Sequence, residues 1–437
     1  MSRVVSPASG AWRRPFSLLA YRAVSALAAP ALPVLLRRRL AEGKEDPSRL
    51  NERLGRPVLP RPPGRLVWIH AASVGETMTI LPLVGRLEAE GVTALVTTGT
   101  LTSAQLAAER LPQGSIHQFV PMDGPGAARR FLDHWKPDLA IVCESEIWPN
   151  LVMETRTRGI PMGWVNARMS ARSFARWQRM PGAARALLDG LAFCFAQSTA
   201  DAERFAALGA PAEMAGNLKF DVPPLPLDQG DLETLRQRID NRPVLLAAST
   251  HPDEEMTVLE ASAVIRDQVA ELLTILVPRH PERGAEIAEM AARGGMRSLL
   301  RSAGQQPDDM TTVYIADTLG ELGLFYALAR VVFVGGTFVP VGGHNPIEPA
   351  KFGVPILHGP LFSNFTEIYT ELDEKGAAIP VADARALGQA ASRLMRDAGA
   401  REALGQQARA FVAAHEGALD RCWAAIMPLI AAKDSAP

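Results

Sequence analysis

Short apolar runs alternate with helical stretches along most of the chain, and this alternation constrains the fold more than any other feature of the sequence. From residue 65 onward the runs are rich in β-branched or bulky residues and apolar on both faces, as the strands of a covered parallel sheet are. They are RLVWIH (65–70), VTALVTT (92–98), SIHQFVP (115–121), DLAIVC (138–143), IPMGWVN (160–166) and LAFCFAQ (191–197). Segments with helical periodicity, such as ILPLVGRLEAEG and TSAQLAAERL, separate them. The pattern predicts βαβ units and a doubly wound α/β sheet.

The same pattern starts again after the proline-rich stretch DVPPLPLDQG (221–230). The second series of runs is PVLLAAS, LLTILVP, MRSLLRS, TVYIAD, VVFVGG and VPILHG. At 437 residues the chain is long for one core, and a proline-rich stretch is typical of a linker. We therefore expect two Rossmann-like domains, residues 46–225 and 226–437, with the last helix packing back on the first domain. Two such domains facing each other across a cleft are typical of GT-B glycosyltransferases and of several sugar-nucleotide epimerases.

Residues 1–45 precede the predicted sheets and have a composition of their own. The first forty residues contain seven arginines and no acidic residue, and the apolar run FSLLAYRAVSALAAPALPVLL (16–36) lies among them. The run is about long enough for a helix to cross a bilayer, although Arg22, Pro30 and Pro33 weaken a clean spanning helix. No small-residue cleavage site follows it. We expect a membrane anchor or an interfacial helix with its arginines on the cytoplasmic side; the alternative is a surface helix packed on the domain.

Net charge and side-chain content exclude several classes of protein. With 46 basic and 47 acidic residues the formal net charge is −1, which excludes a generally basic nucleic-acid-binding protein. Cys143, Cys194 and Cys422 are far apart and form no CxxC pair, so we expect a reducing compartment without a disulfide framework or a zinc site. Asp308 and Asp309 lie in the polar loop GQQPDDM and are predicted to be solvated. No metal site is predicted.

Four polar segments follow predicted strands, at the position where open α/β sheets bind their ligands. SVGE runs from Ser73 to Glu76, and ESEIWPN presents Glu144 and Glu146 directly after DLAIVC. PRHPER (278–283) follows LLTILV. In FVGGTFVPVGGHNPIEPA, a strand leads through two glycine pairs into a predicted helix. These segments hold the candidate functional residues.

Two of the candidate glutamates also fit a structural role. Ser73 and Glu76 have the spacing of a capping box, with a hydroxyl at the N-cap and a carboxylate at position N3. Asn345 and Glu348 follow the same rule, with Pro346 at N1. Capping and catalysis are compatible roles, so both stay open for each glutamate.

The glycines and the PRHPER segment predict an anion site. The pairs 335–336 and 342–343 exceed what a turn needs and lead to a helix N-terminus, where free N–H groups and the helix dipole favour an anion. The segment is not a GxGxxG motif, which argues against a nicotinamide cofactor. Arg279 and His280 emerge from a buried strand, where a guanidinium can grip a phosphate with two bonds. The alternative is a surface ion pair with Glu282.

Eight motifs occur in a fixed order: SVGE, ESEIWPN, NARMS, GNLKFD, STH, PRHPER, DTLGEL and FVGGTFVPVGGHNPIE. Together they closely resemble the bacterial 3-deoxy-D-manno-octulosonic acid (Kdo) transferases of lipopolysaccharide assembly, over essentially the whole chain. The resemblance implies a GT-B enzyme at the cytoplasmic face of the inner membrane. It would move Kdo from CMP-Kdo onto a lipid A precursor with inversion, among inner-membrane lipids and without a cofactor besides the donor substrate.

The resemblance also assigns residues. It makes Glu76 the general base and gives Glu144 and Lys219 a role in stabilising the transition state. The first domain would bind the acceptor and the second would bind CMP-Kdo. The residues that would hold CMP are Pro278, Arg279, Leu319, Gly320, Glu321, Asn345, Pro346, Ile347 and Glu348.

The chemistry of these residue types agrees with the assignment. The acceptor is a sugar hydroxyl of very high pKa, so a carboxylate must take its proton as the new bond forms. Ala71, Ala72 and Gly75 would leave room for the acceptor beside that base. The leaving group is a phosphate, whose charge Arg279 and Lys219 could absorb without a metal.

Two other readings of the sequence remain open. One is a different GT-B protein, such as a lipid-A disaccharide synthase or a sugar-nucleotide epimerase. The other is a membrane-bound glycan-binding protein without catalytic activity. CMP and UDP would bind these candidates differently, and transfer onto a lipid A precursor would separate an enzyme from a binding protein.

Overall fold

The computed structural model describes residues 15–431 and contains two seven-stranded sheets. The strands of the first sheet are β1 (Leu66–His70), β2 (Thr93–Thr98), β3 (Ile116–Phe119), β4 (Leu139–Cys143), β5 (Met162–Ala167), β6 (Phe193–Ala196) and β7 (Ala212–Met214). Those of the second are β8 (Val244–Thr250), β9 (Leu273–Pro278), β10 (Ser298–Leu300), β11 (Val313–Ile315), β12 (Val331–Val334), β13 (Ile356–His358) and β14 (Ile379–Pro380). The strand orders are β3-β2-β1-β4-β5-β6-β7 and β10-β11-β9-β8-β12-β13-β14, and all pairings are parallel.

Helices connect the strands and extend the chain at both ends. Those up to the end of the first sheet are α1 (Phe16–Ala28), α2 (Leu32–Ala41), α3 (Leu50–Arg53), α4 (Val74–Ala89), α5 (Leu101–Arg110), α6 (Pro125–Trp135), α7 (Pro149–Thr157), α8 (Ala171–Gln178), α9 (Pro181–Leu188) and α10 (Thr199–Ala207). The remaining helices are α11 (Gln229–Ile239), α12 (Glu254–Arg266), α13 (Gly284–Arg293), α14 (Leu322–Leu328), α15 (Ile347–Phe352), α16 (Thr366–Glu374), α17 (Ala384–Arg396), α18 (Ala398–His415) and α19 (Ala418–Ala431). Short 3₁₀ turns occur at Ala29–Ala31, Leu218–Phe220 and Pro281–Arg283.

Strand β1 shows why the strands are apolar on both faces. All five of its residues are buried. Leu66 and Trp68 belong to one core cluster and Val67 and Ile69 to another, because successive side chains point to opposite faces of a sheet. Both faces are covered by helices, as the alternation predicted, and the doubly wound α/β fold is confirmed.

All twelve predicted runs form strands, and two further strands, β7 and β14, were not predicted. Both are edge strands at the end of their sheets, of three and two residues. Glu213 and Met214 in β7 are exposed, and β14 contains Pro380. Such short edge strands lack the continuous apolar run that marks a buried strand.

The chain forms two compact units. One comprises the residues up to Val222 together with those from His415 onward, and the other comprises Pro223–Ala414. The division falls within the proline-rich stretch 221–230. Helix α19 belongs to the first unit, where Cys422 and Ile426 lie in the core cluster that also contains Val67.

The N-terminal helices belong to the first unit. Among residues 15–431, one helical segment, Phe16–Ala41, is long and apolar enough to cross a membrane. Leu18 is buried in the core cluster around Trp68, and Leu36 is also buried. The arginines that precede this segment, at positions 3, 13 and 14, lie outside the described residues.

Candidate active site

Glu76 lies at the carboxyl edge of the first sheet, in the first turn of α4. Ser73 is the N-cap of this helix, and its hydroxyl accepts a hydrogen bond from the Glu76 backbone N–H at 3.3 Å. The Glu76 carboxylate accepts from the Ser73 hydroxyl and from the Ala72 backbone N–H, both at 2.9 Å. The expected capping box therefore forms, except that the carboxylate reaches the N–H of the residue before the N-cap.

The surroundings of Glu76 raise its pKa to about 7. Burial is the main cause, since the residue is only 8% exposed. The negative charges of Glu144 and Glu146 raise the pKa further, whereas the hydrogen bonds from Ala72 and Ser73 lower it. A carboxylate with a pKa near neutrality can both accept and release a proton at physiological pH, as a general base must.

Glu144 and Lys219 form an ion pair at the same edge. Glu144 directly follows β4 and has a left-handed backbone with a φ of 56°. Lys219 lies in the 3₁₀ turn after β7, and its Nζ donates to Glu144 Oε1 at 3.0 Å. Both side chains are largely buried. The three residues that the family resemblance assigns to catalysis thus lie in one unit, where the charge of Glu144 also acts on Glu76.

Three amide side chains that we did not single out from the sequence hold this edge together. The side-chain oxygen of Asn166 accepts from the Leu218 backbone N–H at 2.9 Å, next to Lys219. Gln197 donates to the Asn166 backbone carbonyl, also at 2.9 Å. Asn217 caps the 3₁₀ turn by accepting from the Lys219 N–H. Their common signal is an amide at or shortly after the carboxyl end of a strand, within the NARMS, LAFCFAQ and GNLKFD segments.

The small residues beside Glu76 differ in how much open space they leave around them. A Cβ atom added to Gly75 would have no neighbour closer than 4.0 Å, so the space beside this glycine is open. Ala72 is half-buried. Ala71 is fully buried in the core cluster around Val67, and it therefore does not leave room for an acceptor as we expected.

An arginine and three histidines lie at the carboxyl edge of the second sheet. Arg279 follows β9, is exposed, and makes no side-chain ion pair with any residue of the described range 15–431. His251 follows β8, and its Nε2 lies 2.8 Å from Nε2 of His344, with the two rings coplanar within 2°. His280 is exposed, packs edge-on against His251, and has its Nδ1 atom 3.7 Å from Glu282. The contact with Glu282 that we considered for Arg279 and His280 is therefore made by His280 and not by Arg279.

Two of these histidines, His251 and His344, are kept neutral by their surroundings. Burial is the main factor that lowers the pKa of His344 to about 4, and the charge of Arg279 and the neighbouring His251 and His280 lower it further. Burial is also the main factor that lowers the pKa of His251, and the nearby His280, Arg279 and Arg283 lower it further. Positive charge on His251 and on His344 is thus disfavoured by neighbouring groups at this edge, and a bound anion would offset that repulsion.

The first glycine pair already binds an anion from the chain itself. Glu254 is fully buried at the start of α12. Its Oε1 accepts from the backbone N–H groups of Thr337 and Phe338, and its Oε2 from those of Gly336 and His251, at distances between 2.6 and 3.0 Å. The N–H groups of the 336–338 turn are therefore occupied by Glu254 and are not available to a ligand, whereas the anion site was expected further on, at the N-terminus of the helix after the second glycine pair.

The 345–348 turn also differs from its prediction. Asn345 caps the turn by accepting from the Ile347 N–H at 3.1 Å. Helix α15 begins at Ile347, however, so Pro346 precedes the helix instead of occupying its first position. Glu348 accepts from the Asn345 side-chain amide at 3.2 Å and not from a backbone N–H. Burial raises the pKa of Glu348, whereas Asn345 and the charge of Arg279 lower it, so this turn and the Pro278–Arg279 segment lie at the same edge.

The 318–321 loop follows β11, the neighbour of β9. Glu321 pairs with Arg301, which also contacts Asp231 at 2.8 Å, and Thr318 donates to the same carboxylate. The hydrogen bond from Arg301 is the main cause that lowers the pKa of Glu321. The carboxylate thus fixes the loop, while Leu319 is 81% exposed and free to contact a ligand.

Two other charged groups are structural. The Arg283 guanidinium of the PRHPER motif contacts Glu255 at 2.8 Å and Glu286 at 3.0 Å. Asp308 accepts from Thr311 and pairs with Arg297, which makes it a loop-stabilising residue. No group of three or more His, Cys, Asp or Glu side chains within residues 15–431 is arranged to hold a metal ion.

Two parallel α/β sheets with reactive side chains at their carboxyl edges define a class of protein, the GT-B-type glycosyltransferases and their structural relatives. A crystal structure described as a glycosyltransferase from Rickettsia africae ESF-5 has this fold, with a TM-score of 0.57. It is 12% identical and covers 84% of this chain and 99% of that chain, and at this identity the likeness concerns the fold alone.

Sequence comparison identifies the family within that class. The profile of the family described as 3-deoxy-D-manno-octulosonic-acid transferase (kdotransferase) matches residues 48–222. A 3-deoxy-D-manno-octulosonic acid transferase of Rickettsia bellii (strain RML369-C) is 36% identical over 83% of this chain and 87% of its own length. The transferase of the same name from Haemophilus influenzae is 34% identical over 84% and 88%. The chain belongs to the Kdo transferase family and is a glycosyltransferase, as the eight motifs predicted.

Proposed function

We propose that this protein transfers Kdo from CMP-Kdo to a lipid A precursor, with inversion at the anomeric carbon. The observation that carries the proposal is the Glu76 carboxylate, which lies at the carboxyl edge of β1 with a pKa near 7, beside the Glu144–Lys219 pair. This edge is where open α/β sheets bind their ligands.

In the proposed step, ionised Glu76 accepts the proton of the acceptor hydroxyl. The hydroxyl oxygen forms a bond to the anomeric carbon of Kdo while the bond from that carbon to the phosphate oxygen breaks, and CMP leaves with its phosphate. The Glu144–Lys219 pair stabilises the charge that develops during this displacement. Because the pair is largely buried, its charges act with little screening by solvent.

The second unit would bind the donor. Arg279, His280, His251 and His344 attract the phosphate of CMP, and Leu319 provides an apolar surface for the nucleotide. The turn from Asn345 to Glu348, together with the backbone of Pro278, Gly320 and Glu321, completes the proposed donor site. Since cationic side chains neutralise the leaving group, transfer needs no divalent metal in this proposal.

We further propose that the segment Phe16–Ala41 lies in the surface of the inner membrane, on its cytoplasmic side, and does not cross it. One face of α1 contacts the rest of the first unit. The residues of this face are spaced by four and three positions: Leu18, Arg22 and Ser25. Arg22 pairs with Glu154 at 2.6 Å, and Ser25 accepts from the Asn150 side chain at 3.0 Å. A spanning helix would have to break these contacts and carry Arg22 into the hydrocarbon core.

The opposite face of α1 is apolar and exposed. Phe16 is 84% exposed, Leu27 82% and Val24 67%, and Val34 continues this surface in α2 with the same exposure as Val24. Exposed apolar side chains on one face and domain contacts on the other are typical of an interfacial helix. The proposed placement brings the acceptor side of the enzyme to the lipid that carries the acceptor.

The proposal is tested with purified full-length protein, CMP-Kdo and a tetraacylated lipid A precursor, with mass spectrometry of the lipid product. We expect Kdo to be added to the lipid, and we expect CMP to stabilise the protein against heat more than UDP does. Stabilisation by UDP alone would favour a disaccharide synthase or an epimerase. Binding of the lipid without any product would favour a non-catalytic glycan-binding protein.

A further inference from the structure

Helix α8 presents a row of arginines to solvent. Arg172, Arg176 and Arg179 are spaced i, i+4 and i+7, so they lie on one face of the helix and its C-terminal residue, and all three are exposed. Arg168 is exposed in the loop that leads into the helix. We call the three residues 172, 176 and 179 the α8 arginine face.

No carboxylate neutralises this face. Within residues 15–431, the side chains of the α8 arginine face make no ion pair or hydrogen bond, whereas Arg158 in the same unit pairs with both Asp133 and Glu154. Like charges four residues apart destabilise a helix by roughly 0.2–0.5 kcal/mol per pair. Repulsion among these arginines therefore weakens the helix. Their presence suggests that they serve binding and not stability.

The side of α8 that faces the first unit holds the helix in place. Phe174 and Trp177 are half-buried and pack against the core cluster of the first unit. Upstream, the Met169 backbone N–H donates to Asp201 at 2.8 Å, and Arg204 donates to the Met169 carbonyl at 2.8 Å. Met169 is three residues beyond Asn166, so the helix is held rigidly next to the catalytic edge.

Helix α9 lies between α8, which carries the arginine face, and α1, which carries the exposed apolar surface. Helix α8 packs on α9, and α9 packs on α1. A Cβ atom added to Gly182, at the start of α9, would lie 3.8 Å from Pro15, the residue before α1. Met180 in the α8–α9 connection is 41% exposed and Phe16 is 84% exposed. Basic side chains and apolar side chains thus share one region of the first unit.

We propose that the α8 arginine face binds the anionic phospholipid headgroups of the bilayer in which the apolar face of α1 lies. The inference rests on the proposed membrane association of the N-terminal segment and adds a charge-selective contact to it. Unpaired arginines near an apolar face that lies in the membrane surface match a negatively charged lipid surface in sign. The contact would hold the catalytic edge next to the headgroups, where a lipid-linked acceptor presents its sugar.

Co-sedimentation with vesicles tests this inference. Full-length protein is mixed with phosphatidylcholine vesicles, with and without a fraction of phosphatidylglycerol, at low and at high salt. The test variant is the triple substitution R172Q/R176Q/R179Q. The matched control, R236Q/R238Q/R293Q, removes the same charge from exposed arginines of the second unit. A third variant, R172K/R176K/R179K, keeps the charge and removes the guanidinium.

We expect wild-type protein to prefer phosphatidylglycerol vesicles and to lose that preference in high salt. The glutamine triple should bind them on the order of a hundred-fold more weakly, since each basic residue near an anionic surface contributes a factor of about five. Binding to pure phosphatidylcholine should not change, and the lysine triple and the control should behave as wild type.

The inference would be overturned if wild-type protein bound both kinds of vesicle equally well. It would also be overturned if the glutamine triple and the control lost the same amount of vesicle binding. Either result would leave the proposed membrane association intact. Absence of wild-type binding to either vesicle would overturn the membrane association as well. Thermal unfolding of each variant establishes that the charge change has not unfolded the protein.

Discussion

Each of the two sheets has seven strands and is parallel throughout, but side chains of different charge follow their strands. The edge of the first sheet presents Glu76, Glu144 and Glu146, with Lys219 as a counter-charge. The edge of the second presents Arg279 and three histidines. In our proposal the first edge removes a proton from the acceptor and the second receives a phosphate. One architecture supplies both functions because the residues after each strand vary independently of the strands.

Two glutamates in equivalent positions of the two sheets also differ in function because their surroundings differ. Glu76 follows β1 and Glu254 follows β8, each at the start of the next helix. Glu254 accepts four backbone N–H bonds and is fully buried, whereas Glu76 accepts one backbone N–H and one hydroxyl and keeps contact with solvent. The number of backbone donors therefore separates a carboxylate that shapes the protein from one that can exchange a proton.

The largest expected effect is the loss of activity on Glu76→Gln. The amide keeps the size of the side chain, and it can accept from the Ala72 N–H through its oxygen while its NH₂ donates to the Ser73 hydroxyl, but it cannot take a proton. We expect transfer to fall by about a hundred- to ten-thousand-fold. Binding of CMP and the thermal unfolding midpoint should stay at wild-type values, which calorimetry and differential scanning fluorimetry measure. Turnover above a tenth of wild type would contradict the role of Glu76.

The same substitution at Glu254 should have the opposite pattern. Each carboxylate oxygen of Glu254 accepts from two backbone N–H groups, so an amide NH₂ in place of either oxygen leaves two buried donors without an acceptor. Each such donor costs about 1–3 kcal/mol, so we expect Glu254→Gln to lower the free energy of unfolding by about 2–6 kcal/mol. Urea unfolding measures this. A variant as stable as wild type would show that the four hydrogen bonds contribute nothing.

Two arginines of the PRHPER motif allow a smaller test at the second edge. Arg279→Lys replaces a fork of donors by a point charge, and we expect CMP to bind about tenfold more weakly without loss of stability. Arg283→Lys is the matched control, because Arg283 pairs with Glu255 and Glu286; it should lower stability and leave CMP affinity nearly unchanged. Isothermal calorimetry and thermal unfolding separate the two outcomes, and equal CMP affinity in both variants would count against Arg279 as the phosphate ligand.

The smallest expected effect is that of a chelator. If the charge of Arg279 neutralises the leaving phosphate, excess EDTA should not change the rate of transfer from purified CMP-Kdo. The rate is followed by release of CMP. Inhibition by EDTA that magnesium reverses would contradict the proposed charge stabilisation.

The sequence predicted the features that depend on local patterns and missed those that depend on contacts between distant segments. Apolar runs predicted the buried strands, and the spacing of Ser73 and Glu76 predicted a cap. The role of Glu254 could not be predicted, because three of its four donors lie more than eighty residues away in the 336–338 turn. Asn166 was missed for the same reason, since it positions Lys219 through a residue fifty-two positions along the chain.

The most direct test of the central claim compares the pH dependence of kcat/KM for wild type and Glu76→Gln. Because Glu76 acts in its ionised form and has a pKa raised to about 7, wild-type kcat/KM should fall as the pH drops below 7, approaching tenfold per pH unit. The residual activity of Glu76→Gln should be flat across that range, since the group that titrates has been removed. The same acid limb in both proteins would show that another group titrates there and would contradict the assignment of Glu76 as the base.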